Sequence, residues 1–277
     1  MTQILDAEET ARLRRARAER IGRWLMPVLT VVAALVIWDR IVVLNQIPHY
    51  ILPGPGLVAQ TLVKDWAILG PATWVTLKIA MMALGVAVIG GVGLAVLFSL
   101  SRWAEMSFYP FAVILQVTPV VAIAPLIFIY IENRTVGLLL CAWIVAFFPI
   151  LSNTSLGLRS VDRNLADLYR IYGASRWQRL IHLQLPSALP YFLGGLRIAG
   201  GLSLIGAIVA EFAAGTAGTG SGLAWRILEA GYRLNIPRLF AALILISLAG
   251  IAIFLLLGLV QHLALRRWHE SAIRREG

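Results

Sequence analysis

Long apolar runs separated by short polar intervals dominate the pattern of this chain. Each run approaches or exceeds the roughly 20 residues that a helix needs to cross a bilayer. The runs cover residues 24–44, 79–101, 106–131, 135–158, about 190–212 and 239–265. Because the joins at 102–105 and 132–134 are short, the helices on either side of each join must be antiparallel. The pattern predicts an all-α polytopic membrane protein with six transmembrane helices.

Shorter elements are predicted between the runs. Residues 57–69 and 223–234 can form helices at the membrane interface, and the glycine-rich stretch 215–222 predicts a flexible turn. The third and fourth runs contain Pro119, Pro125 and Pro149. Prolines persist in lipid where neighbouring protein or cavity water satisfies the freed carbonyl groups. These helices therefore either line a cavity or are kinked where they pack.

The longest polar interval, residues 159–189, has the pattern of an amphipathic hairpin too short to cross the membrane. The spacing i, i+3, i+4, i+7 defines one apolar stripe. The stripe consists of Leu165, Leu168, Tyr169 and Tyr172. Asp162 stands where an N-cap residue belongs, and Gly173 suits the left-handed residue that ends a helix. Such a hairpin must lie on the membrane surface or dock on a partner protein.

A second short helix is predicted after Gly173, with Ser175 as its cap. The apolar residues on one side of it are Trp177, Leu180 and Ile181. Pro186 and Pro190 are expected to end it before the fifth apolar run, because proline interrupts the bonding of a helix interior.

Composition supports the membrane assignment. Hydrophobic residues make up 59% of the chain and charged residues 14%, and the mean hydropathy is +0.81. Average soluble domains have roughly 45–50% apolar and about 25% charged residues. The single cysteine, Cys141, lies inside an apolar run, where no internal disulfide is available to it.

The net charge of +10 comes from basic residues that flank the apolar runs. Most of the 24 Lys and Arg residues fall in the tail 1–23, the interval 159–189 and the tail 266–277, or beside them. By the positive-inside rule, both tails and the 159–189 loop are predicted to be cytoplasmic, with the membrane domain at 24–265. The tail 1–23 is longer than the positive region of a signal peptide, so it is expected to remain uncleaved.

Catalytic chemistry is not indicated. The chain has no G-x-x-x-x-G-K-[ST] motif for nucleotide phosphates, and its four histidines are scattered without metal-ligand spacing. We expect no cofactor or metal on this chain and no enzyme activity of its own. A membrane-embedded enzyme is the weaker alternative, since nothing in the pattern brings a nucleophile and a base together.

Two ionisable residues of the fifth run, Arg197 and Glu211, are candidates for the transport pathway, together with Pro119 and Pro125. Ionisable side chains in a membrane are costly and usually functional. Glu211 is predicted either to reach interfacial water or pair with Arg226 or Arg233, or to belong to an outer gate. An ATP-independent channel or secondary carrier, the alternative class, would depend on such residues.

The 159–189 loop resembles the EAA loop of binding-protein-dependent ABC importer permeases. Asp167 is followed after five residues by Gly173, and after nine more by Leu183-Gln184-Leu185-Pro186. Asp167-Leu168-Tyr169 replaces the Glu-Ala-Ala of the motif, and Leu183 replaces its Ile. The sequence from Gly173 to Trp177 resembles the nitrate/sulfonate/taurine branch, and similarity extends over about residues 24–267.

The resemblance implies a permease of the bacterial inner membrane that pairs as a homodimer with two ATP-binding subunits. ATP–Mg would be bound and hydrolysed in those partners, and an extracytoplasmic binding protein would deliver a small solute. The loop would couple the permease to the ATPase. Its contact residues would be Leu165, Asp167, Leu168, Tyr169, Tyr172, Gly173 and Pro186. Family substrates include nitrate, bicarbonate, sulfonates and pyrimidine- or vitamin-like compounds, and the sequence leaves the choice open.

Overall fold

The structure is a computed structural model that describes residues 2–215 and 220–266, with side chains described throughout from residue 25. All regular elements in these ranges are helical. The predicted all-α membrane fold is confirmed. Five helices are long and apolar enough to cross a membrane, or six if one bent pair counts as a single span.

Helix α1 (Thr2–Leu44) runs without interruption from the basic tail into the first span, which covers Leu25–Leu44. None of the side chains of this span is fully buried by the other residues that the structure describes. An apolar span packs on lipid or protein, so its surface is available to either.

Helix α2 (Pro55–Lys64) is shorter than the predicted interfacial helix 57–69. Asp65 ends it, donating its backbone N–H to the carbonyls of Thr61 and Val63, and then precedes α3 (Trp66–Leu100). The second span therefore starts well before residue 79. Pro71 lies in the second turn of α3 and leaves the helix continuous.

The predicted third span, 106–131, is wrong as a single helix. The structure has α4 (Arg102–Val117) and α5 (Val120–Tyr130), which meet at an angle of 102°. Thr118 is extended, with φ −70° and ψ 122°. The cause is Pro119, whose ring disfavours helical geometry at the preceding residue and which lacks an N–H to continue the helix.

Helix α6 (Arg134–Arg159) forms the centre of the bundle with α3 and α9 (Leu185–Ala214). Its closest partner is α9. A Cβ atom added at Gly195 would lie 2.8 Å from the Pro149 carbonyl oxygen, and one added at Gly206 would lie 2.8 Å from Ala142 Cα. These glycines allow the two backbones to touch, as small residues do in membrane helix pairs.

The loop contains α7 (Arg163–Ile171), α8 (Arg176–Arg179) and a π-helical turn (Leu180–Gln184) that leads directly into α9. The expectation that Pro186 and Pro190 end the second short helix is wrong. Residues from Arg176 to Ala214 form one continuous helical span. Pro186 falls in the first turn of α9, where a missing N–H costs little, and the preceding turn is already opened to i→i+5 bonding.

Helix α10 (Leu223–Tyr232) and helix α11 (Ile236–Leu265) complete the described chain. Arg238 of α11 donates through Nε to Asp65 Oδ2 at 2.5 Å, which ties α11 to the junction of α2 and α3. The predicted turn 215–222 is described only at its ends, where Gly215 (φ +56°) stops α9. Residues 216–219 and the predicted tail beyond Arg266 lie outside the described residues.

Candidate functional site

In the hairpin between α6 and α9, a local cap lies at the start of each short helix. Asp162 Oδ1 accepts from the backbone N–H of Asn164 at 2.7 Å and of Leu165 at 3.4 Å. Ser175 and Gln178 form a reciprocal capping box, with distances of 3.2 and 2.7 Å. These contacts fix where each short helix begins.

Gly173 makes the turn between the two helices. Its φ is +66°, and the backbone N–H of the following Ala174 donates to the Tyr169 carbonyl at 2.9 Å. A Cβ added at Gly173 would meet nothing within 4 Å. Glycine is therefore needed here for its backbone conformation and not for space.

The apolar stripe of α7 is uncovered. No residue of α7 is buried, and Leu165 and Leu168 expose 47% and 45% of their surface. Tyr172 and Ile171 each expose 81%, and Ile171 was not among the predicted contact residues. Beside the stripe lies a cavity of about 460 Å³. It is lined by Leu168, Tyr169, Tyr172, Gly173, Ala174, Gln178 and His182.

Asp167 is exposed on the same helix, so it too is accessible to a partner. Pro186 lies elsewhere, at the start of α9 and past the π-helical turn. The second helix is divided: Leu180 is buried, whereas Trp177 and Ile181 are exposed. The loop is also braced from α4, because Arg159 at the end of α6 forms an ion pair with Glu105.

At the bend between α4 and α5 lies a second cavity of about 310 Å³, bordered also by α6 and α9. It is lined by Leu115, Gln116, Thr118, Val120, Ile144, Val145, Pro149 and Leu202. Pro119 forms the joint itself. Pro125, in contrast, is exposed on α5 and does not line this cavity.

Arg197 is separated from this cavity's lining. Its guanidinium carbon lies 3.8 Å from the ring centroid of Phe254 on α11, a cation–π contact. It is also about 21 Å along α9 from Glu211, at 1.5 Å per residue. The two predicted pathway residues are thus not brought together.

Glu211 is fully buried, so the expectation that it reaches interfacial water is wrong. It does not pair with Arg226 or Arg233, which both bind Glu229 at 2.8 and 3.1 Å. Arg226 lies one turn before Glu229 and Arg233 one turn after it, so both arginines form ion pairs with Glu229.

The carboxyl group of Glu211 instead joins three helices. Thr76 Oγ1 on α3 donates to Glu211 Oε1 at 2.8 Å, and the Ala224 N–H donates to Oε2 at 3.0 Å. The Leu223 N–H donates to Thr76 Oγ1 at 2.9 Å. Two of the free amides at the start of α10 are satisfied in this way.

Gly222 completes this cluster, since a Cβ atom placed there would collide with the Glu211 carboxyl group. The sequence carried one usable signal, a glycine directly before an amphipathic helix. The partner Thr76 is 135 residues away from Glu211, and no local pattern indicates it.

The fold and the exposed helical loop define an all-helical polytopic membrane protein with an amphipathic loop outside its spans. Residues 87–269 match the family described as binding-protein-dependent transport system inner membrane component, and the chain belongs to this family of ABC transporter permeases.

Three comparisons describe its relatives. The riboflavin transport system permease protein RibX of Chloroflexus aurantiacus is 34% identical, over 92% of this chain and 96% of its own length. The formylaminopyrimidine transport permease protein ThiX of Halalkalibacterium halodurans is 32% identical, over 82% of this chain and 89% of its own. The fold is also similar to that of a solved structure, described as the crystal structure of an amino acid ABC transporter with histidines, with a TM-score of 0.60. The match covers 75% of this chain and 97% of that one, at 17% sequence identity.

Proposed function

We propose that this chain is the permease subunit of an ATP-driven importer, coupled through its 159–189 loop to separate ATP-binding subunits that bind and hydrolyse ATP–Mg. The observation that carries the proposal is the α7 surface, a capped helix whose apolar stripe is left exposed by the part of the chain that the structure describes. An amphipathic helix of this kind fits a groove on a partner.

The connection from the loop into the membrane supports the same mechanism. The second loop helix, the π-helical turn and α9 are continuous from Arg176 to Ala214, so displacement of the loop moves α9 directly. Because α9 packs backbone to backbone on α6, and α6 lines the cavity at the bend, the motion reaches that cavity.

The proposed orientation places both termini and the loop in the cytoplasm, as the distribution of basic residues favours. A second copy of the chain, forming a homodimer, would cover α1, whose span has no fully buried residue in the described chain and packs on α11 through Trp38 and Phe240. A binding protein outside the membrane would then deliver the solute to the face that carries α10.

For the solute, we propose a small neutral heteroaromatic compound. None of the eight residues that line the cavity at the bend is charged, and Gln116 and Thr118 supply hydrogen-bonding groups among apolar walls. An anion such as nitrate or a sulfonate would be better matched by a cationic side chain. The relatives named for riboflavin and formylaminopyrimidine transport support this choice.

Purification through a tag on this chain tests the proposal. We expect an ATP-binding subunit to co-purify, and ATPase activity of the reconstituted complex to rise when the binding protein and its solute are added. Transport by the chain alone, with no ATPase attached, would instead identify a channel or secondary carrier.

A further inference from the structure

A polar cavity of about 280 Å³ lies where the loop side of α3 meets the start of the fifth span. It is lined by Ser99, Leu100, Arg176, Arg179 and Gln184. Arg176 Nη1 donates to the Leu100 carbonyl at 3.3 Å. Arg179 Nε is buried and has no hydrogen-bond partner among the described residues.

The positive charge of this cavity is not neutralised within the described chain. Neither Arg176 nor Arg179 has a carboxylate within ion-pair distance among the described residues, and the nearby Glu105 is bound by Arg159. Guanidinium groups with free donors bind phosphate oxygens well, because their planar N–H groups match the geometry of the anion.

An apolar groove of about 610 Å³ lies along the same two helices, and by helical spacing its lining residues fall on the faces of α3 and α9 that carry Ser99 and Gln184. The groove follows one face of α3 and one face of α9. Its walls include Val88, Val92, Gly93, Leu185, Leu189 and Phe192. From Val88 to Ser99, the two openings extend about 16 Å along α3 at ~1.5 Å per residue. That length is close to one leaflet, half of the roughly 30 Å hydrocarbon core.

Thr154 adds a polar group to the wall of the groove. Its hydroxyl is buried, lines the groove and has no hydrogen-bond partner among the described residues. It lies less than two turns from the end of α6, so a polar atom of a bound molecule could reach it near the loop side of the groove.

We propose that the cavity and groove together hold one anionic phospholipid, with its phosphate on Arg176 and Arg179 and an acyl chain along α3 and α9. Charge complementarity identifies the head group and the leaflet-length apolar wall identifies the chain. Because Arg176 directly follows the Ser175 cap, the lipid joins the loop to α3. The site shares no lining residue with the cavity at the bend or with the predicted ATPase-contact residues.

The test measures lipid retained by the full-length purified chain. After reconstitution in phosphatidylglycerol-containing bilayers and extraction into detergent, native mass spectrometry counts bound phosphatidylglycerol. We expect Arg176→Gln/Arg179→Gln to lower its affinity about tenfold or more. The control is Arg266→Gln, which removes an exposed arginine at the C-terminal end of α11 and should leave the affinity for phosphatidylglycerol unchanged.

A second pair of variants tests the groove without changing charge. A Cβ at Gly93 or at Gly85 meets nothing within 4 Å, but only Gly93 lines the groove. Gly93→Phe should displace the lipid and Gly85→Phe should not. Size-exclusion profiles check that each variant folds.

Three results would overturn the proposal. One is equal retention of phosphatidylglycerol by the double arginine variant and the wild-type chain. Another is displacement by excess inorganic phosphate with no effect of Gly93→Phe, which would identify a site for free phosphate. The third is loss of dimer in Gly93→Phe with lipid retention unchanged, which would assign the groove to a second copy.

Discussion

Replacing Thr76 by Val removes the hydroxyl group that connects α3 to α9 and α10. The two side chains have nearly the same shape, so the change isolates hydrogen bonding. Thr76 is fully buried, donates to Glu211 and accepts from the Leu223 N–H. Its substitution therefore deprives the carboxyl group of a donor and leaves a buried amide without an acceptor.

The expected cost follows from these two losses. A buried group left without its partner costs about 1–3 kcal/mol. The Ala224 N–H still binds Glu211, so the cluster is weakened and not abolished. We expect a local loss of about 3 kcal/mol for opening the start of α10, which corresponds to roughly 100-fold faster exchange of its protected amides.

Hydrogen exchange followed by mass spectrometry on the peptide covering α10 measures this directly. Thr73→Val is the matched control, because Thr73 lies on the same helix and bonds only the Leu69 carbonyl of its own helix. We expect Thr73→Val to change exchange of α10 by less than about 0.5 kcal/mol. If α10 exchanges in Thr76→Val as it does in the wild-type chain, or if it exchanges as fast in Thr73→Val as in Thr76→Val, then the hydrogen bonds of Thr76 are not the origin of the stability of α10.

Three further predictions concern the loop, the topology and the pH response. Gly173→Val should lose solute-stimulated ATPase activity in the reconstituted complex, because a β-branched residue at φ +66° is strained by about 1–2 kcal/mol. Gly173→Asn is the control and should retain the activity, because asparagine tolerates this conformation. Full activity of Gly173→Val would refute the docking role. In a Cys141→Ala background, a cysteine replacing Tyr232 should react with an impermeant thiol reagent on intact cells and one replacing Asn164 only after lysis; the reverse pattern would invert the proposed orientation. The hydrogen bond from Arg226 lowers the pKa of the Glu229 carboxyl group below its ordinary value of 4.5. The stabilisation that ionised Glu229 gives the fold is therefore complete above pH 4.5 and is lost as the pH falls through the lowered pKa. Amide protection of α10 should fall in that acidic window, and Glu229→Gln should remove this dependence; an unchanged pH response in Glu229→Gln would contradict the assignment.

The caps and the turn of the loop could be predicted from sequence because the contacts that form them are local. Asp162 accepts from residues two and three positions later, Ser175 exchanges bonds with Gln178, and Gly173 turns the chain by its own backbone conformation. Each of these signals is contained within four residues. Such signals remain readable whatever the rest of the fold does.

The bend at Pro119 was missed because composition does not distinguish a straight span from a broken one. Residues 106–131 are apolar throughout, and most helix-internal prolines of this chain are accommodated: Pro71, Pro149 and Pro190 all lie inside continuous helices. What differs at Pro119 is that Thr118 takes the extended conformation that proline favours in its predecessor. Beyond the bend, α5 packs on α6 and α9, which are distant in sequence from Pro119, so no local pattern indicates these contacts.

Glu211 shows why an intramembrane charge is ambiguous in sequence. The same residue type can face a pathway or satisfy backbone groups where a helix starts inside the protein, and both uses offset the cost of burial. Here the second use is realised, because the amide of Ala224 and the hydroxyl of Thr76 converge on the carboxyl group. A variant that disturbs Glu211 therefore tests the position of α10 before it tests any gate. Because α10 contacts both α9 and α11, its position also affects the helix that we propose the loop to move.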